Sequence, residues 1–361
     1  MFNRKMTVDS DLPNQAACAK KSNQWFKMKL ITRNSAIRLM VLATLCLMGC
    51  CSMTKMPGKS YRGALPALTD AELLLRGELV ADINTLAVQI GDRNMLDYKK
   101  LQDTADFIDA SLTNAGYRVR RQNYTIDNKT CSNIEAEIKG VKNPEQIVII
   151  GAHYDTAYGT AGANDNGSGT AAVLAIARKF AGGKYDKTLR FVLFVNEEPP
   201  YYHTDQMGSR VYAKNCRTNG DNIVAMLSLE TIGYYCDTPK SQKYPFPFSV
   251  VYPSTGNFVG FLSDMGSSRK LLHEVIGSFR RNCQFPSEGG SIPSVIAGVN
   301  WSDHWSFWQE DYPAIMITDT AIFRYPYYHS TEDTPDKIDY DNLARVVSGL
   351  KKVIAELTES I

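Results

Sequence analysis

Three segments of this sequence place histidine and carboxylate side chains where apolar runs end. His153 follows one such run, Asp165 lies in the glycine-rich turn that comes soon after it, and Glu197 and Glu198 end a second run. Imidazole and carboxylate groups suit zinc, and a carboxylate is able to bridge two ions. In open α/β sheets, ligands bind outside the carboxyl ends of the strands. We therefore expect these four side chains to meet at one metal-binding crevice.

Two further segments extend this set of possible ligands. Glu230 ends the apolar segment Leu227–Leu229, and His329 lies in a polar loop before the last predicted helix. Taken singly, a carboxylate at a strand end is more often solvated than liganded, and a lone histidine is usually structural. Their occurrence together, in the order His, Asp, Glu-Glu, Glu, His, indicates a metallohydrolase.

The elements around these segments alternate between strands and helices. The first helix opens at the capping box Thr69–Glu72, and we expect these residues on its apolar side: Leu73, Leu74, Val80, Ile83 and Leu86. Strands are predicted near 117–126, 132–139, 146–152, 189–196, 223–230, 247–252 and 313–318, and helices near 96–115, 168–181, 207–215, 267–281 and 340–358. This alternation predicts an α/β fold, a three-layer sandwich in which helices cover both faces of a mixed, mostly parallel sheet.

The N-terminal region is basic, and its pattern is typical of export. Residues 1–50 carry a net charge of +6, which leaves −4 for the remainder of the chain. From Met28, a basic segment and a short apolar run lead to Leu47–Cys50, which resembles a bacterial lipobox. We predict a leader over 1–50, with a start at Met28, cleavage before Cys50 and a lipid anchor on that cysteine. A plain signal peptide or a retained anchor are the alternatives.

The rest of the chain predicts a linker over 51–66 and one catalytic domain over 67–361. A hydrophobic content of 44% and a charged content of 22% are ordinary for a globular protein. Because the body of the protein is slightly acidic, nucleic acid is not an expected partner. Four cysteines lie in the predicted catalytic domain and are able to form disulfides, although their spacing does not predict a pairing: Cys131, Cys216, Cys236 and Cys283.

Together, the five segments resemble the co-catalytic zinc peptidases of clan MH. That family includes secreted bacterial aminopeptidases, glutamate carboxypeptidase and, more remotely, glutaminyl cyclase. The resemblance covers about residues 70–360 and implies two zinc ions bridged by Asp165. One ion would bind His153 and Glu230, and the other would bind Glu198 and His329. Many members have aspartate where this chain has Glu230.

The resemblance also implies roles for residues that do not bind metal. Glu197 would act as the general base and acid, Tyr328 would help to hold the oxyanion, and the peptide bond after Asp165 would be cis. From the residues themselves, adjacent glutamates leave a strand end in opposed directions, so Glu198 is free to bind metal while Glu197 faces water. Asp155 is the expected partner of the second imidazole nitrogen of His153.

Other histidines compete for these roles. His304 is the main rival of His329 as a ligand, and we place both His304 and Asp303 beside the ligands rather than among them. His203 would either line the cleft or lie on the surface. Aromatic residues near His304 would shape a pocket for an apolar substrate side chain or belong to the core.

We therefore expect a secreted, membrane-anchored aminopeptidase that acts on peptides with two zinc ions. Two alternatives stay open: acyl transfer on a single zinc, as in glutaminyl cyclase, and a non-catalytic peptide-binding lipoprotein. The sequence does not predict an oligomeric state or a side-chain preference.

Overall fold

The computed structural model describes residues 38, 40–41, 49 and 52–359. The chain divides into two units, 1–46 and 47–361, and the three residues described in the first unit are helical. Most of the predicted leader, including Met28 and Cys50, lies outside the described residues. Among the residues that are described, no helix combines the length and the apolar character needed to cross a bilayer.

The second unit is built on one mixed sheet of eight strands, which follow the order β1-β2-β4-β3-β5-β8-β6-β7 across the sheet. β4, β3, β5 and β8 run parallel at its centre, while β1, β2 and the β6–β8 pairing are antiparallel. The strands are β1 Arg120–Ile126, β2 Lys129–Ile138, β3 Asn143–His153, β4 Lys187–Phe194, β5 Asn222–Glu230, β6 Val259–Ser263, β7 Ser287–Ser291 and β8 Ala314–Thr318.

Helices cover both faces of this sheet, which confirms the predicted three-layer α/β fold. One face packs against α1, α2, α3, α5 and α7, and the other packs against α4 and α6. The helices are α1 Asp70–Asn84, α2 Tyr98–Asn114, α3 Gly167–Phe180, α4 Gly208–Asn219, α5 Ser268–Asn282, α6 His304–Trp308 and α7 Tyr340–Thr358.

Strand β3 shows why the central strands read as continuous apolar runs. Val148 and Ile150 belong to the larger core on one face, whereas Ile147 and Ile149 belong to the smaller core on the other. Because successive side chains of a strand point to opposite faces, a strand covered on both sides is apolar at every position. The polar side chain of His153 follows at its end, where the helical cover stops.

Helix α1 begins at the predicted capping box but buries a different stripe. Thr69 accepts a hydrogen bond from the backbone of Glu72, and the Glu72 side chain accepts one from the Thr69 backbone. Leu75, Leu79 and Ile83, spaced four residues apart, face the core. The expectation that Leu73 and Leu74 would be buried is wrong, since both are exposed.

The end of the sheet that contains β6 and β7 differs from the sequence prediction. The strand expected at 247–252 is wrong, because a short 3-10 turn, Phe248–Val250, occupies that position. Proline rings at 245, 247 and 253 remove backbone donors there and disfavour a ladder. Strands β6 and β7 were not predicted, since each has only five residues and β7 consists of serine, glutamate and glycine.

The described residues 52–66 pack along the edge of the sheet next to β7. Met56 packs against the main core, and the Arg280 guanidinium donates hydrogen bonds to the carbonyl oxygens of Pro57 and Gly58. The Ser60 hydroxyl accepts a hydrogen bond from the Ser287 backbone on edge strand β7. This segment therefore covers one backbone donor that the edge strand would otherwise expose. The four cysteines of this unit that the structure describes are free.

Candidate metal centre

The site lies where three neighbouring parallel strands end. His153 is the last residue of β3, Glu230 is the last residue of β5, and Glu197 and Glu198 follow the end of β4. Asp165 lies in the turn between β3 and α3. All these side chains are buried, so folding of the central sheet brings several carboxylates together although their negative charges repel one another.

His153, Asp165 and Glu230 form the first group that is able to hold a metal ion. The Nε2 atom of His153 lies 3.2 Å from Glu230 Oε2 and 3.5 Å from Asp165 Oδ1. The Ser302 hydroxyl donates a hydrogen bond of 2.7 Å to Glu230 Oε2. The side chain of Glu230 is thus long enough to contact His153, and Ser302 orients its carboxylate.

Asp165, Glu198 and His329 form the second group. The Nε2 atom of His329 lies 3.0 Å from Asp165 Oδ2 and 3.1 Å from Glu198 Oε1. Asp165 therefore faces one group with Oδ1 and the other with Oδ2, which is the geometry of a bridging carboxylate. The Asp165–Asn166 peptide bond is cis, as predicted.

The donor set fits two metal ions. Asp165 Oδ2 and Glu198 Oε1 are buried, and their contacts with His329 Nε2 do not have hydrogen-bond geometry, so neither oxygen has a hydrogen-bond partner among the described residues. Buried carboxylate oxygens are normally bonded. Imidazole nitrogen and carboxylate oxygen are common zinc ligands. Cations bound between these groups would satisfy both oxygens and offset the concentrated negative charge.

The pKa values of the ligands reflect the same crowding in the metal-free protein. Burial raises the pKa of Glu198 to about 7, and the nearby charge of Asp165 adds to the effect. Burial alone would lower the pKa of His329, but its contacts with Asp165 and Glu198 raise it to about 10. Protons thus occupy positions that a metal ion would take.

Glu197 lies beside His153 of the first group and belongs to neither group of potential ligands. Its Oε2 is 3.9 Å from His153 Nε2, and burial raises its pKa well above the usual value, an effect that His153 opposes. Asp155 holds this segment, since its carboxylate accepts hydrogen bonds from the backbones of Glu197 and Glu198. Asp155 also contacts the ring of His153: Nδ1 of His153 lies 3.2 Å from the carbonyl oxygen of Asp155 and 3.6 Å from its Oδ1 atom.

Tyr328 lies beside the second group and borders an apolar cavity. Its ring stacks on that of His329 with a centroid separation of 3.9 Å. Burial raises the pKa of its hydroxyl well above the usual value, so the phenol stays a hydrogen-bond donor. The cavity has a volume of about 100 Å³, and its wall includes Glu230, Tyr328, Phe248, Tyr252, Phe258, Leu262, Ile292, Val299, Trp301 and Met316.

The Ser302–His304 segment contributes differently at each position. Ser302 contacts Glu230, whereas Asp303 is fully buried. Burial raises the pKa of Asp303 to about 7. His304 places its Nε2 2.8 Å from the carbonyl oxygen of Val299, and burial lowers its pKa to about 4.

His203 lies in a stack of aromatic rings rather than in either ligand group. Its ring lies 3.9 Å from those of Tyr202 and Trp305, and its Nε2 is 3.0 Å from the Asn300 carbonyl oxygen. The loop that follows the two glutamates is thereby fixed against the segment that precedes α6.

Sequence reasoning missed the residues that hold the Asp165 turn. The carboxylate of Asp333 accepts hydrogen bonds from the backbones of Asn164 (2.8 Å) and Asp165 (3.1 Å), and one from the Tyr325 hydroxyl (2.6 Å). The Asn164 side chain donates to Asp319 at 2.8 Å. Asp333 follows His329 by four positions, so the segment that supplies one ligand also fixes the bridging turn. Its position in that motif was the available signal.

Gly169 permits α3 to start directly beneath the turn. A Cβ atom there would lie 2.3 Å from the Leu229 carbonyl oxygen, which is too close for any other residue without a shift of the backbone. Asn166 donates to the same carbonyl and accepts from the Gly169 backbone. The glycine-rich motif therefore brings the bridging turn against the end of β5.

A buried arginine that the sequence analysis also missed lies under this turn. The Arg93 guanidinium donates to the carbonyl oxygens of Tyr154 (2.7 Å), Ala161 (2.7 Å) and Gly162 (2.8 Å). Its side chain is fully buried. These acceptors lie in the segment that joins His153 to Asp165.

Two curated relatives resemble this chain. YfbL of Escherichia coli K12, described as uncharacterized, is 34% identical over 285 residues, which cover 76% of this chain and 85% of that protein. A probable leucine aminopeptidase of Arthroderma otae is 27% identical over 236 residues. That match covers 60% of this chain and 56% of the fungal protein, so the chain spans little more than half of it.

Solved structures share the fold at low sequence identity. BSAP, a zinc aminopeptidase from Bacillus subtilis, matches with a TM-score of 0.64 and 15% identity, covering 79% of this chain and 95% of that structure. Glutaminyl cyclase from Fimbriiglobus ruber matches with a TM-score of 0.58 and 17% identity, covering 83% and 99%. The model of peptidase family M28 matches residues 133–354, a region that contains all five candidate ligands. The chain belongs to peptidase family M28 and is a zinc metallopeptidase.

Proposed function

We propose that this protein is an aminopeptidase that binds two zinc ions at once. The single observation that carries the proposal is the position of Asp165, whose two carboxylate oxygens face two separate groups of potential ligands. His153 and Glu230 would complete one zinc site, and Glu198 and His329 would complete the other. A one-zinc centre of the cyclase type would not need both groups.

The residues of the chain would divide the chemistry between them. When bound, the ions supply Lewis acidity toward a carbonyl oxygen and lower the pKa of water. Glu197 would accept the proton of the attacking water and deliver it to the leaving amine, because it lies beside the ligands without belonging to either group of them. Tyr328 would donate a hydrogen bond to the developing oxyanion, since its phenol remains protonated.

Two features near the centre suit the N-terminal residue of a peptide. Buried carboxylates surround the centre and would attract an α-ammonium group. The apolar cavity shares Glu230 and Tyr328 with the centre, and its volume of about 100 Å³ suits a side chain such as that of leucine or methionine. We propose that the cavity receives the first side chain of the substrate.

We further propose that the protein is exported and anchored to a membrane by lipid on Cys50. The support is in the sequence alone, in the basic segment, the short apolar run and the Leu47–Cys50 motif. Radiolabelled palmitate in a bacterial host, with Cys50→Ala as the control, tests this point. Labelling that persists in the variant would exclude Cys50 as the acceptor.

The proposed activity is tested with matched peptides that have free or acetylated N-termini. Purified protein should bind two zinc ions per chain and cleave only the peptides with a free N-terminus, and a chelator should abolish cleavage. Cyclisation of N-terminal glutamine with one zinc per chain would support the cyclase alternative instead. Two bound ions without hydrolysis of any peptide would support a binding protein.

A further inference from the structure

The environment of Arg93 is unusual for a cation. Its relative exposure is 0%, and its guanidinium donates to backbone carbonyl oxygens. Burial lowers its pKa to about 10, and the charges of Asp333, Asp155 and Asp165 oppose that effect. A buried charge is costly without compensation. The negative charges of these aspartates, which lie at or near the metal centre, compensate the buried charge of Arg93.

The hydrogen bonds of Arg93 join the two ends of one segment. Nε donates to the carbonyl of Tyr154, the residue that follows His153, whereas Nη1 and Nη2 donate to Ala161 and Gly162, which precede the turn of Asp165. This segment joins His153 to Asp165, which are the two candidate ligands nearest to each other in the sequence. One guanidinium thus sets the distance between the ends of the loop that carries two ligands.

Further contacts extend this bracing. Arg93 and Thr156 are linked by two hydrogen bonds of 3.1 Å: the Arg93 backbone N–H donates to the Thr156 hydroxyl, and the Thr156 backbone N–H donates to the Arg93 carbonyl oxygen. Gly162 has a φ of +58°, and its carbonyl, which Arg93 holds, also accepts the Gly167 backbone N–H at 3.0 Å. A displacement at Gly162 would therefore be transmitted to the first turn of α3.

We propose that Arg93 is a positioning residue for metal binding, which holds the loop from His153 to Asp165 in its ligating geometry before an ion arrives. This inference rests on the proposed two-zinc function. Arg93 precedes the region that the family model matches, so that match assigns it no role. The planar fork of arginine reaches three carbonyls at once, which the single ammonium of lysine does not reproduce.

The test compares zinc affinity in three variants by competition with a chelating dye, starting from zinc-free protein. Arg93→Lys and Arg93→Met should bind zinc about 10- to 100-fold more weakly than wild type, the usual effect of losing a partner behind a metal ligand. Arg178→Met is the matched control, because Arg178 donates to Asp82 and Ser111 rather than to the ligand loop. It should lower the melting temperature of the zinc-free protein and leave zinc affinity unchanged.

The possible results separate this inference from the proposed function. Zinc affinity within twofold of wild type in both Arg93 variants would overturn the inference, as would an equal loss in Arg178→Met. If Arg93→Met does not fold, Arg93→Lys decides the question, because it retains the charge. A wild-type protein that binds no zinc would instead refute the proposed function.

Discussion

The carboxylate of Asp155 binds the backbone of Glu197 and leaves the Glu197 side chain free: Asp155 Oδ1 accepts the Glu197 N–H at 3.0 Å. The other oxygen of the same carboxylate accepts the Glu198 N–H at 3.2 Å. The two glutamate side chains are therefore free to face different partners, His153 in one case and His329 in the other. By binding both backbones, Asp155 allows the adjacent residues Glu197 and Glu198 to take different roles, one as the proposed base and the other as a proposed ligand.

We predict that Glu197→Gln abolishes turnover without removing metal. Glutamine has nearly the same shape but cannot accept the proton of water, so kcat should fall by about 10²- to 10⁴-fold. Zinc content, measured by atomic emission, should stay at the wild-type level. Glu198→Gln is the matched control, since it alters a proposed ligand and should lower zinc content as well as kcat. Full activity in Glu197→Gln would exclude its role as the base.

Zinc binding should release protons and strengthen as pH rises. In the metal-free protein the pKa of His329 is raised to about 10 and that of Glu198 to about 7, so at neutral pH zinc must displace protons from this group. Affinity should increase between pH 7 and pH 9, by up to about tenfold per pH unit for each displaced proton. Calorimetry in buffers of different ionisation enthalpy measures that release. An affinity independent of pH would contradict these protonation states.

Filling the apolar cavity should change specificity more than catalysis. Leu262 lines the cavity from β6, and Leu262→Trp would occupy the space of a substrate side chain. We expect kcat/KM to fall about 10- to 100-fold for leucyl and methionyl substrates and to change little for alanyl substrates. Leu96→Trp, on an exposed residue, is the control. Equal losses for all substrates would show that the cavity does not hold the side chain.

His304 should make the zinc-free protein sensitive to acid. Burial lowers its pKa to about 4, below the usual value of 6.5, so the unfolded chain binds its proton first as pH falls. Its contribution to stability is therefore complete above pH 6.5 and is lost between pH 6.5 and pH 4. Between pH 7.5 and pH 5, the stability advantage of wild type over His304→Gln should shrink by about 2 kcal/mol.

Urea unfolding at the two pH values measures this difference. His273→Gln serves as the control, since His273 is only partly buried and its smaller shift should change the difference far less. A constant advantage at both pH values would show that His304 does not stay neutral.

The sequence predicted the parts of the molecule that local pattern determines. Central strands such as β3 are long apolar runs, and the ligands follow them directly, so both could be located. Strand β7 could not, because Ser287–Ser291 has no apolar side chain and exists only through pairing with β6. Arg93 was missed for a related reason: its partners are backbone atoms of a distant segment, which leave no trace in residue type. Asp333 lies in the same motif as His329, but its bonds to the backbones of Asn164 and Asp165 could not be predicted from that position.

The hydrogen bond from the Asp165 backbone to Asp333 joins residues 168 positions apart. A growing chain that has completed β3, β4 and β5 would already contain four of the candidate ligands, yet the brace for the bridging turn would still be missing. Hydrolytic competence would then depend on synthesis of nearly the whole chain, which would keep incomplete polypeptides from acting on their surroundings.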